Sequence, residues 1–379
     1  MIVYPVKHSP LLRQPEHFIA RDELKTLIKK VTHNLVNIHD ETGEFLLRLD
    51  DGRVIDTKGW AGWEWTHGVG LYGMYQYYQQ TGDATMRDII DGWFAERFAE
   101  GATTKNVNTM APFLTLAYRY EETRNPAYLP WLDSWAEWAM HDMPRTDFGG
   151  MQHITLAEEN HQQMWDDTLM MTVLPLAKIG KLLNRPEYIE EATYQFLLHV
   201  QNLMDKKTGL WFHGWSYVGQ HNFANARWAR GNSWLTIVIP DFLELLNLPA
   251  NNAVHRYLVQ VLNAQIAALA ECQDESGLWH TLLDDPQSYL EASATAGFAY
   301  GILKAVRKRY VGQDYAAVAE KAIRGIVQHI SPEGELLHTS FGTGMGHNLD
   351  FYHNIPLTSM PYGQAMAMLC LTEYLRKYY

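Results

Sequence analysis

The chain has 379 residues, 47% of them hydrophobic, and a formal net charge of −12. This size and apolar content allow a large buried core, and the negative charge argues against a nucleic-acid or anionic-membrane partner. Two cysteines, Cys272 and Cys370, make no disulfide framework, and no apolar run reaches the roughly 18 residues of a membrane span.

The opening, MIVYPVKHSPLLRQPEHF, lacks the apolar core and cleavage site of a signal peptide, so a cytoplasmic protein is expected. Residues 1–20 read as an extension. An amphipathic helix over 21–39 follows, with Leu24, Leu27, Ile28, Val31 and Leu35 on one face. The next stretch, 66–80, is richer in small and apolar residues, as a helix buried on most sides must be. The alternation then continues along the chain. Amphipathic segments at 83–100, 125–143, 185–204, 252–273 and 314–330 are interleaved with apolar ones at 107–122, 163–183, 228–246, 291–308 and 359–377.

The junctions repeat as well. TGDAT, TRNPAY, LNRPEY, LPANNAV and VGQDYA each precede an amphipathic segment and supply helix caps. Glycine-bearing loops follow these segments: TGEFLLR, FGGMQH, TGLWFH, SGLWH and EGELLH. A two-helix unit recurring about every 60 residues is a repeat architecture. Twelve alternating helices predict an all-α, (α/α)6 toroid, six helices inside six. No Pro/Gly/Ser-rich linker divides the chain, so one domain over 1–379 is expected. The loops GGMQH, GLWFH, GLWH and ELLH each deliver a histidine beside an inner helix and are expected to share the ring's mouth.

The segment ENHQQMWDDTLMM places Asp166 and Asp167 among Met, Trp and Leu. On a helix, neighbours diverge by about 100°, so one aspartate can face a cavity while the other turns to solvent or caps a neighbour. A structural pair at a helix N-terminus is the plainer alternative. Burial disfavours a carboxylate's charge, and a carboxyl that keeps its proton suits general acid catalysis. Asn108 opens the second inner helix, and RWARGNSW sets Trp228, Arg230 and Trp234 around the start of the fourth. Arg230 can grip a carboxylate in two-pronged fashion or hold helix-end carbonyls, and both readings stay open. Thirteen Trp and 21 Tyr suit the flat faces of sugar rings, though most isolated tryptophans simply fill cores. HExxH, zinc spacings, EF-hand loops and GxSxG are all missing, so no metal is expected.

The segments WEWTHGVGLYGM, NVNTMAPFLTLAYRYEET, GGMQH, QMWDDTLMM, TGLWFHGW, RWARGNSW, SGLWH and FGTGMG together resemble the unsaturated rhamnogalacturonyl hydrolases, glycoside hydrolase family 105, over nearly the whole chain. The resemblance implies the same toroid. It also implies an enzyme that removes a terminal 4,5-unsaturated uronic acid from small lyase-generated oligosaccharides by hydrating the double bond, without any cofactor. Carried across residue by residue, it makes Asp167 the catalytic acid. His153, His213, Trp228 and Arg230 become cleft residues, with Trp63, His67 and Trp234 as further candidates. Asn108 falls where relatives often carry an Asp, which leaves Asp167 as the single acid/base with Asn108 as its hydrogen-bonding neighbour.

Three other readings compete. An unsaturated glucuronyl hydrolase would share the chemistry, a sugar epimerase would want paired histidines, and a carbohydrate-binding toroid would not need Asp167. A homo-oligomer is left open.

Overall fold

The computed structural model describes residues 17–48, 52–101 and 103–379; most of the expected N-terminal extension lies outside them. Helix α1 (Arg21–Asn37) is the first outer helix, and a hairpin of β1 (Leu46–Arg48) and β2 (Val54–Asp56) leads to the first inner helix, α2 (Trp65–Thr81). Outer α3 (Ala84–Glu100) is followed by a 3-10 turn at Asn108–Met110 and inner α4 (Phe113–Thr123). Outer α5 (Leu129–Glu137) ends in a π-helical turn. Strand β3 (Gln163–Trp165) and a second π turn, Leu169–Val173, then precede inner α6 (Leu174–Leu182).

The second half repeats this order. Outer α7 (Pro186–Leu203), β4 (Gly214–Ser216) and inner α8 (Ala229–Leu246) are followed by outer α9 (Ala253–Glu271), β5 (Trp279–His280), β6 (Leu290–Glu291) and inner α10 (Ala292–Arg307). Outer α11 (Ala316–Gln328), β7 (Thr339–Ser340), the short α12 (Leu349–His353), β8 (Leu357–Thr358) and inner α13 (Pro361–Tyr378) complete the chain. This is the expected (α/α)6 toroid. No helix of the described residues is long and apolar enough to cross a membrane.

Burial explains the two helix types. Outer α1 buries only Leu24, Ile28, Val31, Thr32 and Leu35, one stripe, whereas α10 buries Ala292 through Val306 without a break. The outer helices start where the sequence supplies caps. Asp83 Oδ1 accepts the Thr85 N–H at 3.0 Å, and Asn252 Oδ1 accepts the Val254 and His255 N–H groups. Between the inner helices a buried carboxylate ties three together, since Asp241 on α8 accepts from Tyr72 on α2 and from Tyr300 and Lys304 on α10.

The recurrent glycine loops have a steric cause. Gly209, Gly277 and Gly334 all adopt positive φ, and a Cβ on each would meet a backbone oxygen of an outer helix: Ala264 at 2.6 Å, Lys321 at 2.4 Å and Lys30 at 2.4 Å. Only glycine fits both the dihedral and the approach.

The structure adds short strand pairs to the helical reading. β3 pairs antiparallel with β4, Trp165 opposite Gly214, so residues 163–165 are strand rather than the first turn of an inner helix. Asp166 therefore sits in the turn and Asp167 at the first helical position.

Candidate active site

One cavity of about 660 Å³ opens among the loops that enter the inner helices, within the range typical of small-molecule sites. Its lining includes Glu64 before α2, Asn108 before α4, His153 and Asp167 before α6, Trp228 and Arg230 at the start of α8, and Tyr362 at the start of α13. Residues from far-separated repeats thus meet at one mouth, because each repeat enters its inner helix on the same side.

Asp167 is the carboxyl group that faces the cavity, its side chain 19% exposed. Asp166, by contrast, is fully buried, and neither of its carboxyl oxygens has a hydrogen-bond partner. The aspartate turned away from the cavity thus goes into the core, not to solvent or to a cap. Burial, and then the neighbouring Asp167 charge, push the Asp166 carboxyl well above its ordinary range, so it stays neutral. Burial also raises Asp167. Asp166, the Arg230 charge and the Trp234 side chain pull it back in part. Asp167 is therefore an acid that holds its proton more tightly than a free aspartic acid yet can ionise, as a proton donor requires.

His213 lies behind Asp167, its Nε2 3.8 Å from Asp167 Oδ2 and its side chain 2% exposed. Its Nδ1 is 2.7 Å from the Tyr352 hydroxyl, which already accepts the Gly346 N–H. When the phenol donates to Nδ1, the ring proton sits on Nε2, on the side of the Asp167 carboxyl but outside hydrogen-bond reach. Burial keeps His213 neutral by lowering its pKa well below the usual value. Trp228 packs on the same ring, centroid to centroid 4.2 Å. His153 stacks flat on Trp165 at 4.1 Å, hydrogen-bonds Thr168 Oγ1 through Nδ1 at 2.9 Å, and is pushed down to about 3 by burial.

Arg230 is sandwiched between the rings of Trp228 and Tyr362, 4.8 Å from each. Its NH1 donates to the backbone oxygen and hydroxyl of Ser340, and its NH2 to Phe341 O and Thr343 Oγ1. All four terminal protons are therefore spent on the 340–343 loop. NH1 also lies 3.7 Å from the buried Glu291 carboxylate, so the guanidinium meets carbonyls, hydroxyls and a carboxylate of the chain's own loops.

Trp63 and His67 border the cavity but are committed elsewhere. Trp63 Nε1 donates to Thr109 O, and its ring stacks on Trp135. His67 Nδ1 accepts the Glu64 N–H at 3.0 Å, its Nε2 faces Gly59 O at 2.9 Å, and burial takes it down to about 4. Trp234 is fully buried, its ring edge-on to Trp65, and its indole N–H finds no partner beyond the neighbourhood of Asp167.

The four loop histidines do not all converge. His153 and His213 reach the site, but His280 turns to Ser288 O and His338 is exposed and packs against His329. Conversely, Glu64, Trp165, Tyr352 and Tyr362 belong to the site and were not picked out by sequence. Among the described residues, Asp166, Asp167 and His213 form the one group with ligand atoms mutually within 4.8 Å.

An inner ring of helix starts gathered round an acid, with aromatic walls, defines a sugar-cleaving toroid. The profile of Glycosyl Hydrolase Family 88 matches residues 37–378, and the chain belongs to that family of glycoside hydrolases. It is 31% identical over 317 residues to the unsaturated rhamnogalacturonyl hydrolase YesR of Bacillus subtilis (strain 168), covering 83% of this chain and 90% of that one. A solved structure from Salmonella enterica subsp. enterica serovar Paratyphi A, given as a possible member of GH105 family, is 91% identical over the full length of both chains, with a TM-score of 0.97. The unsaturated glucuronyl hydrolase of Bacillus sp. GL1 shares the fold, with a TM-score of 0.68 at 16% identity, over 93% of this chain and 96% of that one. The resemblance read from the sequence segments is thereby borne out.

Proposed function

We propose that the protein releases a terminal 4,5-unsaturated uronic acid from rhamnogalacturonan-type disaccharides, with Asp167 as the acid and base. The observation that carries this reading is the setting of Asp167: a cavity-facing carboxyl group whose pKa burial raises, with the buried His213 ring 3.8 Å behind it. Protonation of C4 by Asp167 leaves positive charge at C5, stabilised by the ring oxygen. Water adds at C5 and gives its proton back to the Asp167 carboxylate. The C5 hemiketal opens to a ketone, and the hemiacetal left at C1 expels the next sugar. Nothing in this sequence needs a cofactor, since protons are the only species passed. The similarity to YesR favours rhamnogalacturonan fragments over glycosaminoglycan ones.

The proposal covers residues 1–379 as one domain acting in the cytoplasm on a small oligosaccharide. The test follows loss of the double-bond absorbance with two substrates, an unsaturated galacturonyl-rhamnose disaccharide and an unsaturated glycosaminoglycan disaccharide. Turnover of the first and not the second is expected. Preference for the second would move the assignment to the glucuronyl hydrolases. Binding of either with no loss of absorbance would leave a carbohydrate-binding toroid.

A further inference from the structure

Glu291 ends β6 and caps α10; it is fully buried and is not part of the cavity lining. A buried carboxylate is costly unless it is paired and hydrogen-bonded, and this one is both. Its Oε2 accepts the Ala294 N–H at 2.6 Å, which closes the helix cap. Its Oε1 accepts the Ser293 hydroxyl at 2.7 Å, the Ser340 N–H at 2.8 Å and the Ser340 hydroxyl at 3.2 Å. Capping α10 requires only the first of these contacts. The two to Ser340 tie the carboxylate to β7 as well.

Ser340 passes the tie onward. Its hydroxyl and its backbone oxygen both accept from Arg230 NH1, at 2.6 and 3.0 Å, and the same backbone oxygen takes the Tyr362 hydroxyl at 2.5 Å. Because NH1 donates to the Ser340 hydroxyl, the hydroxyl proton is left for Glu291. Arg230 NH1 is also 3.7 Å from Glu291 Oε1. Ser340 itself is buried, but Phe341, Gly342 and Thr343 beside it border the cavity. The Arg230 charge in turn acts on Asp167 and offsets part of the effect of burial there.

Resting on the hydrolase reading above, we infer that Glu291 is a positioning residue for the reaction: without touching the sugar, it anchors the 340–343 loop through Ser340 and balances the Arg230 charge that Asp167 feels. The other titratable groups packed about Glu291 do not supply that balance. Tyr289 on the way into β6 and Tyr362 on α13 are phenols held uncharged by burial. His280 on the paired β5 turns to Ser288 O and to Asp274. Beside Asp167, burial keeps both Asp166 and His213 neutral.

Glu291→Gln removes the negative partner and leaves the guanidinium uncompensated, which favours the ionised form of Asp167. Turnover needs the protonated acid, so the limb of kcat/KM that falls with rising pH should move to lower pH. A neighbouring opposite charge moves a carboxyl by about 1–3 units, and Glu291 acts only through Arg230, so a shift of about 0.5–1 unit is expected. The experiment follows loss of the double-bond absorbance of the unsaturated galacturonyl-rhamnose disaccharide from pH 4 to 9. Ser293→Ala is the control, since it takes a hydrogen bond from the same carboxylate but leaves the charge. Its melting temperature should fall while its limb stays in place. An unmoved limb in Glu291→Gln overturns the inference, as does an equal shift in both variants. If Glu291→Gln does not fold, Ser340→Ala decides: it keeps the α10 cap and removes the hydroxyl between carboxylate and guanidinium, and kcat should fall about fivefold. Unchanged kcat and KM in Ser340→Ala would overturn the inference. A wild-type chain that leaves the absorbance intact at every pH overturns the hydrolase reading and this inference with it, whereas an active wild type with an unmoved limb in Glu291→Gln sinks this inference alone.

Discussion

The buried carboxyl group of Asp166 lies against the bare Cα of Gly231: a Cβ there would be 2.1 Å from Asp166 Oδ2. Gly231 is in the first turn of α8, so that turn is moulded around the residue preceding the acid. Gly231→Ala should push Asp166, and Asp167 with it, away from α8. Overpacking of this kind costs about 1–3 kcal/mol. Thermal unfolding should show the loss, and turnover should fall further than stability explains. Asp166→Ala in the same chain should recover much of the stability but not the turnover, a coupling that a double-mutant cycle measures.

Asp167→Asn should cost about 10²–10⁴-fold or more in kcat, with ligand binding largely kept, because the amide has the shape but no proton to give to carbon. Asp166→Asn should be far milder. The structure supplies the reason: Asp166 is neutral already, and an amide replaces a neutral acid with little change. Loss of the double-bond absorbance, measured on both variants, decides between them. A dead Asp166→Asn with a normal Asp167→Asn would reverse the assignment.

Tyr352→Phe removes the hydroxyl that pairs with His213 Nδ1 at 2.7 Å. The ring can then place its proton on either nitrogen. A lost hydrogen bond of about 1 kcal/mol corresponds to a fall of about fivefold in kcat, with KM little changed. A large rise in KM instead would make Tyr352 a wall of the sugar site rather than a support for His213.

Stability should respond to Glu64 with a definite sign. Its folded pKa, about 7, lies above its unfolded value. The folded chain therefore holds a proton that the unfolded chain has released, and the stabilisation so gained is present at acid pH and lost as pH rises through about 7. Glu64→Gln has no such loss, so its melting temperature relative to wild type should climb between pH 5 and pH 8. A constant difference across that window would mean that Glu64 titrates normally.

The helices were legible because one face of each outer helix is apolar and the inner ones are apolar all round, and both patterns are local. Asp167, His153, His213 and Trp228 were reached through the family resemblance of short segments. Glu64 stood within WEWTH, but nothing local separates a helix-capping glutamate from one that faces a cavity; only Asn108, in the next repeat, makes that distinction. Tyr352 and Tyr362 touch His213 and Arg230 across more than a hundred positions of chain, and no spacing signals that. Arg230 shows the converse. Its segment pointed to the right place, but the loop that consumes its donors comes from 340–343, so the sequence left its task undecided.

The glycine at the foot of α11 bears on how the ring begins. Gly334 meets α1 at Lys30 just as Gly209 meets α9 and Gly277 meets α11, so the joint that shuts the circle is built like the joints within it. The ends of the described chain also touch, Tyr379 reaching Ile19 O at 2.5 Å and packing on His17. A circle whose closing joint matches two of its inner ones need not begin where this chain does. Circular permutation, with the ends bridged and a cut made at the exposed turn near Gly312, would renumber the hairpins and leave the same residues facing one another across the mouth.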